Sequence, residues 1–320
     1  MRKLLFISAL FGAIVLNTVE GWAQDPFFTQ QNYGLAFINP AYTGATVYAR
    51  AEVGHRIQWP ALGADFQTTN AAYEQCFSFG ALGFNYSHDR AGHYIKTDRF
   101  DLNYTYGFEM GEADDGKAKL VIQPGVQLSY FRKFIDWSML SFGDQIDPRR
   151  GFVYNTTQTP ATGAANCFDV SAGLLAYTKR ISFGFSTFHL NQPDQGVLGI
   201  SKLPMRFVAH ASTILGNAEY GEDGFSVIPS VTFMRQQDFE MLTLMLTTKY
   251  GPFSIGGGYR HKDAALFTVG YALRNFVIGY SYDHTISQLG KTGGAHELHV
   301  AYSFLKDQWP ASRPSMQMFL

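Results

Sequence analysis

The sequence predicts an all-β protein, a transmembrane antiparallel barrel of about 14 strands placed in an outer membrane. Three observations carry this. The chain opens with an export leader, its body alternates apolar and polar residues over membrane-length runs, and its composition is rich in aromatics and poor in charge.

The leader comes first. Arg2 and Lys3 precede an apolar run over 4–16, and Gly21-Trp22-Ala23 puts small residues where a signal peptidase reads. Residues 1–23 are therefore expected to be a signal peptide, with the mature chain starting at Gln24. The run is too short for an anchor, since a spanning helix needs about 20 apolar residues. No other segment is long and apolar enough to span as a helix, so any span must be made of strands.

The composition agrees. Aromatic residues make up 16% of the 320 residues, with 28 Phe and 18 Tyr, while charged residues make up only 16%. Ordinary globular chains carry about 25% charge. Few charges and many aromatics suit an outside that faces lipid and two rims that sit at interfaces. The net charge of −1 gives no footprint for a nucleic-acid partner. Cys76 and Cys167 are open to two readings in an exported chain. They form one disulfide, which the compartment permits, or they are two separate small apolar residues. The second is preferred, because spacing alone does not bring them together.

The clearest strand is 100–110. Phe100, Leu102, Tyr104, Tyr106, Phe108 and Met110 alternate with Asp101, Asn103, Thr105, Gly107 and Glu109, which gives one apolar and one polar face. Similar alternation runs through 119–130, 275–283 and 297–304, and weaker versions cover 46–56, 66–75, 79–89, 166–178, 180–190, 203–214, 224–236, 239–250, 252–260 and 264–272. Turn residues at 112–116, 221–224 and 236–238 separate strands. A soluble β-sandwich also alternates, but its strands run about 5–6 residues and its outside carries more charge. The inward set is mostly Ser, Thr, Asn, Gln and Gly, which points to a plugged or partner-filled lumen more than to a porin. The division expected is a leader at 1–23, an N-terminal periplasmic or plug segment at 24–45, a barrel at 46–304 and a tail at 305–320. The plug reading rests on Pro26, Asn39-Pro40 and Gly44, which break alternation, and on Phe27, Phe28, Tyr33 and Phe37, which need burial.

No catalytic constellation emerges, and the chain is expected not to be an enzyme and to hold no cofactor or metal. His88, Asp89 and His93 fit no compact metal motif and read as a polar strand end. His296 and His299 point to opposite faces of one strand. His210 and Ser212 share a face but have no identifiable acid partner. Gly256-Gly257-Gly258 lies inside a strand, where it reads as bending or close packing and not as a phosphate loop. Residues 133–165 break the strand rhythm and form a long loop, expected at the cell surface. The last strand, with polar Glu297 followed by Val300, Tyr302 and Phe304, resembles the terminal signal read by barrel-assembly machinery.

Several segments together resemble the PorP/SprF family of type IX secretion and gliding-motility outer-membrane proteins. The start from Gln24 through Asp25-Pro26 to Gln30 is similar to the family's opening. Asn39-Pro40-Ala41-Tyr42-Thr43-Gly44 resembles its Asn-Pro-Ala…Gly element, and Arg56 with Gln58-Trp59-Pro60 its Arg-x-Gln-Trp-Pro element. Asp136-Trp137, 142–146, 188–193 and 281–283 resemble later blocks. The stretch 31–38 and the tail, which lacks a Cys-Pro ending, depart from the pattern. The resemblance implies a barrel that works with the type IX apparatus. Partners it implies are a periplasmic ring containing a lipoprotein, or the C-terminal domain of a large secreted adhesin whose export or surface attachment the barrel supports. On that footing Asp136, Trp137, Phe142, Asp144, Asp147 and Phe152 of the long loop are the candidate partner contacts. The alternative is a passive porin or a small-molecule transporter.

Overall fold

A computed structural model describes residues 25–30, 33–46, 49–63, 66–112, 118–147, 149–157, 163–197, 199–216, 224–287 and 290–304. The expected leader, Gln24 and the tail 305–320 lie outside the described residues.

The strands are β1 (Ala49–Gln58), β2 (Phe66–Phe77), β3 (Gly80–Ala91), β4 (Ile95–Thr105), β5 (Phe108–Glu112), β6 (Ala118–Ile135), β7 (Ile146–Asp147), β8 (Gly151–Phe152), β9 (Ala164–Tyr177), β10 (Ile181–Phe188), β11 (Arg206–Thr213), β12 (Leu215–Gly216), β13 (Phe225–Gln236), β14 (Phe239–Tyr250), β15 (Phe253–Arg260), β16 (Ala264–Leu273), β17 (Phe276–Thr285) and β18 (Ala295–Phe304). β5 continues β4 past a break at 106–107, and β12 continues β11. β7 and β8 form a separate ribbon within a loop. The remaining strands make a closed antiparallel barrel of 14. It closes where β1 meets β18, from Ala49↔Phe304 to Gln58↔Ala295.

The alternation becomes two surfaces. Phe100, Leu102 and Tyr104 of β4 are exposed, while Asp101, Asn103 and Thr105 are buried. Aromatics line up across strands on the outer face. Tyr86 pairs with Phe100, Phe100 with Tyr130 and Tyr130 with Phe168 toward one end. Phe276 pairs with Tyr302 and Phe253 with Tyr271 toward the other. Rows of this kind mark the two membrane interfaces. The wall's two termini and the short turns 78–79, 178–180, 251–252 and 274–275 share one end, while the long connections 136–163 and 189–205 share the other. Long loops face outward in such barrels, so the second end is the cell-surface end.

Three expectations are corrected. The run 100–110 is divided between β4 and β5 at Tyr106-Gly107, where the Tyr106 N–H still donates to the Pro124 carbonyl of β6. The long loop is shorter than 133–165, since β6 extends to Ile135 and β9 begins at Ala164. The lumen is also more charged than the alternation suggested. Arg50, Glu52, Arg56, Asp101, Asp169 and Arg206 are among its buried side chains. These charges are scattered over several strands, three of them on β1, so no unbroken run shows in sequence; closure gathers them. Both cysteines are free and bonded apart, Cys76 Sγ to the Gly44 carbonyl and Cys167 Sγ to the Asp194 carbonyl, so the disulfide alternative falls. Gly256 and Gly258 mark close packing, since a Cβ there would run into Thr268 and Met245.

Replacing Tyr104 by Arg puts a cation on the lipid face and is expected to cost about 2–4 kcal/mol. The folded, heat-modifiable gel band should weaken or vanish; full recovery of that band would mean that Tyr104 does not face lipid.

Candidate functional site

Residues 25–30 and 33–46 occupy the lumen, and three of the places that hold them to the wall stand out. None of these described residues belongs to a wall strand. The segment's regular parts are one helical turn, α1 (Leu35–Ile38), and a 3-10 turn over Pro40–Tyr42.

The first place is built around Arg56. Its side chain is buried and donates to Glu297 Oε2 at 3.0 Å and to Asp283 Oδ2 at 2.9 Å. Arg260 donates to the same Asp283 oxygen at 3.0 Å. The segment enters this cluster through Thr29, whose hydroxyl donates to Asp283 at 2.6 Å and accepts from Arg260 at 2.7 Å. The backbone N–H groups of Thr29 and Gln30 donate to the two Glu297 oxygens at 2.8 and 2.9 Å. Both guanidinium groups also lie over the Phe27 ring, at 4.9 and 4.6 Å from its centroid. Charged hydrogen bonds in a water-poor lumen are strong and directional. Gln58, Trp59 and Pro60 finish the strand that carries Arg56. Trp59 takes a left-handed backbone with φ 57°, its N–H donates to the Gly294 carbonyl, and Pro60 starts a 3-10 turn.

The second place holds Asp25. Its carboxylate is 2.6 Å from His189 Nε2 and 3.2 Å from Arg206. His189 Nδ1 is 2.7 Å from Asp169, which also accepts from Arg99 at 2.8 Å. Burial by itself pushes the Asp25 carboxyl up, but His189 and Arg206 outweigh it and hold the group below the usual carboxylate range.

The third place explains the Asn-Pro-Ala…Gly element. Asn39 Oδ1 accepts from the Ala41 N–H at 2.9 Å, capping the 3-10 turn that Pro40 begins. Its Nδ2 faces the Leu174 carbonyl at 3.1 Å and His210 Nε2 at 3.2 Å. The other nitrogen of His210 is 2.8 Å from the Tyr42 hydroxyl. Two wall glycines make room. A Cβ on Gly173 would fall on the Asn39 side chain, and one on Gly125 would fall on the Ala41 backbone. Gly44 has φ 74°, donates to Glu74 at 2.9 Å, and sits where a Cβ would strike Ala81 and Cys76.

The loop residues are arranged differently. Trp137 and Phe142 stack on each other, 6.2 Å between centroids and 23° between planes. Asp136 accepts from Ser138 at 2.6 Å and from Lys96 at 3.4 Å. Asp144 accepts from Thr157 and Thr156, which holds its carboxyl below the usual range. Asp147 accepts from the N–H groups of Arg149 and Arg150. The three carboxylates are therefore engaged in shaping their own end of the protein. Phe152, by contrast, is 64% exposed, beside exposed Val153 and Tyr154.

Sequence reasoning did not single out Arg99, Asp169 or Arg206, and it met Thr29 and Glu297 only as parts of the opening segment and the last strand, with no role in the lumen. Their one signal was a charge, or a hydroxyl near a proline, at an otherwise small or neutral position. Of the histidines, His88 is bonded to Asp98 at 2.8 Å, and His296 faces outward, away from buried His299.

These features define an outer-membrane β-barrel whose lumen is filled by its own N-terminal segment. The chain belongs to the PorP/SprF family: the family described as type IX secretion system membrane protein PorP/SprF matches residues 21–302. No curated protein matches it in sequence. Among solved structures it is similar to the CymD monoaromatic hydrocarbon channel, with 12% identity and a TM-score of 0.48 over 89% of this chain and 95% of that one. It is also similar to a FadL homologue of Pseudomonas aeruginosa, with 13% identity and a TM-score of 0.44 over 84% and 94%. The P. putida toluene transporter TodX gives 12% identity and a TM-score of 0.41 over 83% and 92%. The likeness is loose, and nothing about transport follows from it.

Arg56→Ala removes one partner from a buried ion cluster, a change that costs about 3–5 kcal/mol in such settings. Barrels that still fold should lose residues 25–44 to added protease, while the parent keeps them. Equal protection of the two would show that Arg56 does not hold the segment.

Proposed function

We propose that this barrel is a non-conducting outer-membrane component of type IX secretion. It supports the export or surface attachment of a large secreted protein, whose C-terminal domain seats on the loops at the cell-surface end. The observation that supports this reading best is the filled lumen. Residues 25–30 and 33–46 cross it and are fixed to the wall at Asp25, Thr29 and Asn39. Among the described residues, spaces beside the segment include one near Glu52 and Asn85 and one near Phe28 and Met241, about 30 Å³ each, and a smaller one of about 10 Å³ by Tyr42 and His210. Each of the larger two is room for about two or three waters. A passive porin needs a continuous aqueous path, so the occupied lumen weighs against that alternative. In this reading the protein has no catalytic role, and its short-turn end is free to meet a periplasmic ring.

At the cell-surface end, Phe152, Val153, Tyr154 and Ile146 on and beside the β7–β8 ribbon are exposed. Exposed aromatics above the membrane are the residue type that anchors interfaces. Trp137 and Phe142 contribute by stiffening the loop that carries them, and the three aspartates set its shape.

Two measurements test the reading. In planar bilayers the intact protein should show no steady conductance, and deletion of 25–44 should open one; steady conductance by the intact protein would favour the porin. Replacing 138–160 with a short Gly/Ser linker should leave assembly intact and reduce the secreted partner on the cell surface. Normal surface display by that variant would remove the loop from the attachment role.

A further inference from the structure

Ala49 opens β1 opposite Phe304, the last residue of β18, at the short-turn end. Chain preceding β1 would ordinarily be left on the periplasmic side. The luminal segment leads away from that side. Working back from β1, Gly44 and Thr46 are bonded to Glu74, three residues from the short-turn end of β2. Asn39 lies against the middle of the wall, at Phe185 and His210. Thr29 sits among Arg56, Asp283 and Glu297, each two residues from the loop end of its strand.

Asp25 goes further. Its partners are His189, the residue after β10, Arg206, the first of β11, and Gln236, the last of β13. All three sit at the loop end. Burial falls along the same path: Phe28, Thr29 and Gln30 are buried, whereas Asp25, Pro26 and Phe27 are partly open. The Asp25 side chain is 17% exposed.

We propose that the amino end of the luminal segment opens at the cell-surface mouth of the barrel, and that Asp25 and Pro26 form part of the surface on which the exported domain sits. The first half of this is a statement of topology and stands by itself. The second half rests on the attachment role proposed above. The latch around Asp25 gives the topology its physical basis. A carboxylate carried through the lumen is fixed at the far mouth because the cations that compensate it, Arg206 and His189, are placed there. Loop 189–205 lies beside it, with Leu203 buried against Phe131 and Cys167, so the mouth is lined jointly by this loop and the chain's own amino end.

The test places a short hydrophilic epitope directly ahead of Asp25 in the full chain, and the same epitope in the Ser78-Phe79 turn between β2 and β3 as a periplasmic control. Intact cells are stained with antibody. The amino epitope should be labelled on intact cells and the turn epitope only after the outer membrane is permeabilised. Labelling of both only after permeabilisation would overturn the topology. Should the epitope block assembly, Pro26→Cys with a membrane-impermeant maleimide reads the same two outcomes, since Cys76 and Cys167 are buried. The second half is read by repeating the labelling in cells that lack the secreted partner. Severalfold stronger labelling without the partner supports a shared surface. Equal labelling overturns that half and leaves the topology standing, whereas failure of the attachment role itself is read separately, from surface display in the 138–160 replacement.

Discussion

Asp283 and Glu297 turn their carboxylates into the barrel from neighbouring strands, and Arg56 binds both from the strand on the other side of the closure. Ions brought together in so confined a space lose hydration, and the hydrogen bonds they gain offset part of that cost, although Arg56 Nε, Arg260 Nε and Asp283 Oδ1 have no hydrogen-bond partner among the described residues. The wall alone does not complete the set. Thr29 supplies a hydroxyl and, with Gln30, two backbone N–H donors. The wall charges pair with one another, and the segment adds hydrogen bonds to Asp283, Glu297 and Arg260 that its removal would take away.

The same fit recurs at the other two places in different chemistry. At Asp25 it is ionic, with a carboxylate seated between a histidine and an arginine at the mouth. At Asn39 it is amide and steric, with the wall giving up side chains at Gly125 and Gly173 so that the Pro40–Tyr42 turn lies flat against it. The lower half of the segment is also packed, with Leu35, Ala41, Tyr42 and Ala45 against Val121 and Leu175. The segments that resemble the family's, Asp25-Pro26, Asn39-Pro40-Ala41…Gly44 and Arg56-x-Gln58-Trp59-Pro60, take part in this internal fit. They read as conditions for filling the lumen.

The loops answer to a different constraint. Above the membrane the described part of the 136–163 connection is tied to the wall through Asp136, by Lys96 and the Tyr94 carbonyl, and is otherwise shaped by carboxylates that cap its own turns and one aromatic stack. That leaves the β7–β8 ribbon projecting with apolar side chains in water, which a monomer gains nothing by exposing.

The sequence by itself determined the barrel. Period-two alternation, as in Leu102 and Tyr104 against Asn103 and Thr105, is a local property, and a strand converts it directly into an outer and an inner face. It also marked 24–45 as something other than wall, because prolines and buried-type aromatics without alternation exclude a lipid-facing strand. What it did not decide was the content of the lumen. Arg99, Asp169, Arg206, Asp283 and Glu297 lie on five different strands, up to roughly two hundred residues apart. Nothing local distinguishes an inward charge that will meet a partner across the barrel from one that will face water. That is set only when the wall closes and brings β1 beside β18, since ion pairing depends on distance in space, and distance across a closed barrel is not written along the chain.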